Sequence, residues 1–205
     1  MSAENHPCKI LYDSSKPYIQ NYGIAIDIGC RYGEFAYFCQ NDFSKTICFD
    51  PIVNKAFKVN TDPRKILHFN CALGSSYELI KMYGGSHANS LNHGKKPTFI
   101  KGTKHYSQSI PLDYFKFGAD KIGLIKIDTE GFEYNVLKGA SKTILGSNSV
   151  IIIEQNGLNM EGESPQQALT YLEKNGFKAI ESIKNKHNEV TDFLLVPEKH
   201  LRKYF

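Results

Sequence analysis

Short runs dense in isoleucine and valine alternate along the chain with stretches in which apolar residues recur every three or four positions. Strand patterns alternating with helix patterns point to parallel strands covered by helices. Ile24, Ile26 and Ile28 in "GIAIDIG" form the first strand, and Phe35, Phe38 and Cys39 share one face of a helix predicted from Gly33. "KTICFDP" is a second strand ended by Asp50 and Pro51, and "KILHFNCALG" is a third. "IPLDYFKFG" predicts a brief helix and "KIGLIKID" a fourth strand. Val136, Leu137, Ala140 and Ile144 then predict one helix from Phe132 to about Leu145. "SVIIIEQNG" is a fifth strand, apolar without alternation, as expected when both faces of a parallel sheet are covered.

The next helix has Ser164 to cap it, Pro165 at its first position, Gln167 to complete a capping box and Gly176 to stop it. Its buried face includes Ala168, Tyr171 and Leu172. The end of the chain changes character: "FKAIESI" and "TDFLLVP" are strands joined by the polar "KNKHNEV". Strands joined that closely are antiparallel, because a parallel return needs a crossover of a dozen or more residues. The expected fold is α/β: a doubly wound, mostly parallel, seven-stranded Rossmann-like sheet with the last strand antiparallel. Residues 77 to 110 break the rhythm and read as an insertion of short edge strands and loop, the kind of element that often carries function. At 205 residues the chain is expected to form a single domain over 1–205.

Composition narrows the setting. A hydrophobic content of 41% fits a globular protein, and no apolar run approaches the roughly 20 residues of a membrane span. No membrane partner and a cytoplasmic location are expected. Cys8, Cys30, Cys39, Cys48 and Cys71 show no CxxC or zinc-ligand spacing and read as free thiols packed as small hydrophobes. The net charge of +4 is unevenly spread: from Leu79 to Leu112 there is no Asp or Glu, while Lys81, Lys95, Lys96, Lys101 and Lys104 are joined by His87, His93 and His105. That segment is either a solvated loop or a surface for an anionic partner.

Chemistry enters with "IDIGCRYGEF". A glycine at the end of a first strand lets backbone approach a ligand, and Gly33 sits at the following helix start. Asp50, 21 residues after Gly29 and at the end of the second strand, is placed to accept ribose hydroxyls. The spacing G-x-x-x-G lacks the middle glycine of the dinucleotide fingerprint, which gives a pyrophosphate a poorer seat. Asp27 would repel phosphate and suits a ligand carrying an ammonium and a sulfonium. The pattern favours S-adenosylmethionine over NAD.

"AIDIGCRYGEF", "CFDP", "HFNCALG", "IPLDYF", "IGLIKIDTEGFEYNVLKGA" and "IIIEQNG" resemble the FkbM-type methyltransferases in order and approximate spacing. The resemblance covers about residues 23 to 157 and implies an S-adenosylmethionine-dependent methyltransferase, usually acting on a hydroxyl of a sugar or of a glycosylated or polyketide product. It implies that Asp27, Gly29 and Gly33 meet the methionine part of the cofactor and that Asp50 meets its ribose. Asn70, Cys71 and Ala72 would lie near the adenine and Asp128 at the methyl-transfer end. Where the family often has Ala-Asn after the first glycine, this chain has Cys30 and Arg31; Arg31 either pairs with the cofactor carboxylate or is simply exposed.

Methyl transfer to an aliphatic hydroxyl needs alignment and removal of a proton. Asp128 is the first candidate for base or acceptor-positioning group and Glu130 the second. Lys126, two residues before Asp128 and on the same strand face, either neutralises the carboxylates or contacts substrate. Glu133 reads as a helix-entry carboxylate. Asp128, Glu130 and Glu154 also form an oxygen-rich set suited to a divalent metal such as magnesium, and His87, His93 and His105 are further candidate bases. The leading expectation is an O-methyltransferase of a sugar, glycan or nucleotide-sugar, with the basic segment holding a phosphate. A nucleic-acid ribose 2'-O-methyltransferase and a non-catalytic binding module of the same fold are the alternatives.

Overall fold

The computed structural model describes residues 7–52, 57, 61–84, 89–91, 103–155, 164, 166–184 and 189–201. In chain order its strands are β1 (Ile24–Ile28), β2 (Lys45–Phe49), β3 (Ile66–Phe69), β4 (Ala72–Leu73), β5 (Glu78–Gly84), β6 (Asn89–Leu91), β7 (Thr103–Ile110), β8 (Ile122–Ile127), β9 (Val150–Glu154), β10 (Phe177–Lys184) and β11 (Val190–Pro197). The helices are α1 (Pro7–Ser15), α2 (Glu34–Cys39), α3 (Glu133–Gly139), α4 (Ser141–Ser147), α5 (Gln167–Lys174) and α6 (Glu198–Leu201).

Seven strands pair in the order β10-β11-β9-β8-β1-β2-β3. Pairs among β1, β2, β3, β8 and β9 are parallel, whereas β11 runs antiparallel to both β9 and β10. This is the expected doubly wound sheet with one reversed strand. From β1 the chain winds outward to β2 and β3 and then returns to the other side at β8, so the crevice at the carboxyl ends of β1 and β8 is a topological switch point.

Alternation along each strand sends successive side chains to opposite faces. Ile26, Ile28, Ile125 and Ile127 pack with Phe132 just before α3, Val136 and Leu137 of α3 and Leu172 of α5. Ala25, Leu124, Ile152 and Leu194 pack on the other face with Leu11, Tyr12, Phe35 and Cys39 of α1 and α2. The sequence pattern did not announce α1, whose nine residues bury Leu11, Tyr12 and Ser15. All five cysteines are free, four of them buried. Among the described residues no helix is long and apolar enough to cross a membrane.

Four local expectations are corrected. The helix expected over Phe132 to Leu145 is two helices meeting at Ala140: the Asp113 carboxylate accepts from the amides of Lys142 (3.0 Å) and Thr143 (2.8 Å) and so caps a fresh N-terminus. The third strand stops at Phe69, and Ala72–Leu73 instead pair in parallel with Ser109 and Ile110 in a second sheet, β4-β7-β5-β6, whose other strands come from the insertion. The helix expected in "IPLDYFKFG" is a single 3-10 turn, Leu112–Tyr114. The last long helix begins at Gln167 rather than after Ser164. Gln167 Oε1 accepts from the Ser164 amide (2.9 Å), the reaching-back half of the box, while Pro165 lies outside the described residues.

Candidate active site

The carboxyl ends of β1, β2 and β3 form one rim. Gly29 has φ 81°, and a Cβ there would stand 1.7 Å from the carbonyl oxygen of Asp128, so no side chain fits between the two strand ends. Its amide donates to Phe49 O (2.8 Å), fastening the turn to β2. Gly33, φ 80°, lies against the Phe57 ring, 2.9 Å from a built Cβ. Between them Arg31, φ 46°, donates its amide to Asp50 Oδ2 (2.9 Å), and Asp50 Oδ1 accepts from Ile52 N (2.8 Å). Burial raises the Asp50 carboxyl, and those two amides pull it back. The Arg31 side chain is exposed, with its guanidinium 4.7 Å from the Tyr32 ring centre.

Asn70, turned so that its amide nitrogen faces carbonyls, donates to Pro51 O (2.8 Å) and Asp50 O (3.3 Å), tying the ends of β2 and β3 together. Cys71 and Ala72 are buried in the main core cluster, which leaves little of either side chain to a ligand. The structure therefore gathers Gly29, Arg31, Gly33, Asp50 and Asn70 on the rim and draws Cys71 and Ala72 inward.

Asp27, Lys126 and Asp128 make a line across the switch point. Asp27 is fully buried and neither of its oxygens has a hydrogen-bond donor. Lys126 Nζ stands 3.8 Å from Asp27 Oδ1 and 2.9 Å from Asp128 Oδ2. Burial pushes Asp27 up to about 6, against the pull of Lys126. Burial also opposes the charge on Asp128, but Lys126 outweighs it and holds this carboxyl below its ordinary value. The two carboxylates in turn outweigh burial at Lys126 and keep it charged. Lysine on the strand thus neutralises the acids around it.

Beyond Asp128 lie Glu130, in a tight turn at φ 55°, and Glu154 at the end of β9. Carboxylate oxygens of Asp128, Glu130 and Glu154 all lie within 4.8 Å of one another. Burial, with Asp128 and Glu130 beside it, pushes Glu154 up to about 11, so it is protonated at neutral pH. Glu133 is the helix-entry group expected: its Oε1 accepts from Thr129 N (2.8 Å), Thr129 Oγ1 (3.0 Å) and Gly131 N (3.1 Å). His105 is exposed on β7, whereas His87, His93, Lys95, Lys96 and Lys101 lie outside the described residues.

One acid of this rim escaped the sequence reading. Asp192 of β11 faces Glu154 across the antiparallel pair. Nothing short-range reports that contact, because it depends on the register of two strands 38 residues apart; the reversed-strand pattern was the available signal.

The FkbM methyltransferase domain profile matches residues 27–179, three quarters of the chain, and the chain belongs to that family. The match opens on Asp27. The structure is similar to an FkbM methyltransferase from Methylobacillus flagellatus, with TM-score 0.61 and 15% identity over 92% of this chain and 48% of that one. This chain thus spans about half the length of that neighbour. A rRNA methylase from Streptococcus thermophilus has TM-score 0.54 and 13% identity, covering 94% of this chain and 97% of that one. A putative tRNA (m1A22) methyltransferase from Streptococcus pneumoniae has TM-score 0.53 and 10% identity, covering 91% and 68%. At such identities the neighbours share the fold. No curated protein sequence matches the chain.

Proposed function

We propose that this member of the FkbM methyltransferase family is an S-adenosylmethionine-dependent O-methyltransferase acting on a hydroxyl of a sugar or glycan. The observation that carries the reading is the ion pair of Lys126 with Asp128 at the switch point, 2.9 Å long and next to the Gly29 turn. The rim fits the cofactor: Asp50 keeps lone pairs for ribose hydroxyls after accepting two amides, and the Gly29 turn leaves backbone rather than side chain facing the crevice. Asp27, wholly enclosed, acts on charge through Lys126 rather than by direct contact.

When bound, S-adenosylmethionine supplies a methyl group on a sulfonium. Asp128 receives the proton of the acceptor hydroxyl as the oxygen attacks. The Gly29 turn and Asp50 would hold that cofactor, whose sulfur would take back the electron pair of the C–S bond as the methyl group passes to the acceptor oxygen. Lys126 holds Asp128 by its Oδ2, and Glu154 shares a hydrogen bond with the same carboxylate, so both keep the base in place before the reaction begins. Asp128, Glu130 and Glu154 offer oxygens to a divalent cation as well, whereas Lys126 already supplies positive charge to Asp128.

Calorimetric titration with S-adenosylmethionine and with NAD, followed by a screen of glycans, nucleotide-sugars and RNA with labelled methyl donor, tests the proposal. Binding of the former and labelling of a hydroxyl-bearing glycan are expected. Failure to bind S-adenosylmethionine at high micromolar concentration would end it.

A further inference from the structure

The loop from Gly29 to Gly33 carries a single cationic side chain, set in an otherwise acidic rim. Arg31 holds a left-handed backbone, φ 46°, and its amide donates to Asp50 Oδ2 across 2.9 Å, which fixes where the side chain leaves the loop. Its guanidinium is exposed, 4.7 Å from the Tyr32 ring centre. Burial works against the charge on Asp128, Lys126 and Glu154 favour it, and Arg31 favours it further, so the guanidinium is close enough to act across the turn. Among the described residues, ion pairs are made by Lys9, Lys16, Arg64 and Lys126, and Arg31 makes none.

A cofactor with its ribose at Asp50 and its methyl group presented to Asp128 would lay its methionine arm over the Gly29 turn. That arm ends in an ammonium and a carboxylate. Asp27, Asp50, Asp128 and Glu130 give this part of the rim a negative charge, which suits the ammonium and repels the carboxylate. Lys126 does not answer that charge, being 6% exposed and divided between Asp27 and Asp128. We infer that Arg31 binds the carboxylate of S-adenosylmethionine through its guanidinium fork, so that this chain reads the amino-acid end of its cofactor by a side-chain charge. This rests on the methyltransferase reading above and assigns a residue of the same site to cofactor specificity. Arg31 then serves both parts of the ligand: its amide orients Asp50 for the ribose, and its side chain takes the carboxylate.

The test is calorimetric titration with three probes: S-adenosylhomocysteine, its decarboxylated analogue, which keeps the ammonium, and methylthioadenosine, which lacks the whole amino-acid end. The wild-type protein is expected to bind S-adenosylhomocysteine at least about tenfold more tightly than the decarboxylated analogue, the factor expected of one charge-assisted pair. Arg31→Gln keeps the backbone bond to Asp50 and removes the charge. It should weaken S-adenosylhomocysteine about tenfold, leave methylthioadenosine within about twofold and bind the decarboxylated analogue no less well, so the preference disappears. Arg31→Lys should restore part of it. Equal affinity of the wild-type protein for S-adenosylhomocysteine and the decarboxylated analogue overturns the inference, as does a preference that survives in Arg31→Gln. So does an equal loss of all three probes in Arg31→Gln, because the residue then shapes the loop rather than reading the carboxylate. If none of the three binds the wild-type protein, the cofactor reading itself has failed and the inference falls with it, whereas binding of methylthioadenosine without any preference for the carboxylate fails the inference alone.

Discussion

Lys126 donates to Asp128 Oδ2 across 2.9 Å, two residues along the same face of β8. The lysine also stands 3.8 Å from Asp27 on the neighbouring strand, and its side chain is only 6% exposed. A cation in this position compensates two carboxylates that the fold has taken from water. Lys126→Met keeps the length of the side chain and removes the charge. Breaking a buried pair from one side costs about 3–5 kcal/mol, because the partner charge is left behind. Chemical denaturation should show that loss, and Asp27→Asn added to Lys126→Met should recover part of it. Equal stability of Lys126→Met and the parent protein would show that the acids do not depend on the lysine.

Asp128 is 30% exposed as a side chain, so the hydroxyl of an acceptor can reach it. Asp128→Asn preserves shape but takes no proton. Turnover is expected to fall by about 10²–10⁴-fold. The dissociation constant for S-adenosylmethionine, read by calorimetry, should change by no more than a few-fold. Full activity in the variant would move the base to Glu130.

Much of this was legible in the sequence for a physical reason. Strands buried on both faces must be continuously apolar, so "KIGLIKID" and "SVIIIEQNG" could be placed, and the short link from residue 184 to 190 forced β11 to reverse. The carboxylates at strand ends followed from those placements. What was not legible depends on partners far away in the chain. The break at Ala140 is made by Asp113, whose carboxylate reaches two amides 29 and 30 residues on. The departure of Ala72 and Leu73 to a second sheet is made by β7. Asp192 joined the rim only through the register of β11 on β9.

Gly29 is where the backbone leaves no tolerance. A Cβ would overlap Asp128 O at 1.7 Å, and the residue already sits at φ 81°. Gly29→Ala must push the end of β1 away from β8, separating the turn from Asp128. Destabilisation of at least about 2–3 kcal/mol is expected. Affinity for S-adenosylmethionine should be lost in whatever fraction still folds. Gly33→Ala, which meets the edge of the Phe57 ring rather than backbone, should be milder in both measurements.

Glu133 gives the fold a pH dependence of definite sign. It is 2% exposed, and burial pushes its carboxyl from 4.5 up to about 7, although three donors at Thr129 and Gly131 favour the ionised form. A folded value above the unfolded one means that folding takes up a proton in this interval. Its stabilising contribution is therefore complete below about pH 4.5 and is lost as pH rises through about 7. The interval corresponds to about 3 kcal/mol for this group. Asp27, raised from 3.8 to about 6 by its own burial, adds a loss of the same sign at lower pH. Urea denaturation of the ligand-free protein should thus show greater stability at pH 5 than at pH 7.5. Glu133→Gln removes the titration while its carbonyl oxygen still accepts from the Thr129 and Gly131 amides, so the stability difference between those two pH values should shrink. A wild-type protein that gains stability over this range would show that the amide donors at the turn outweigh burial and that Glu133 is ionised throughout.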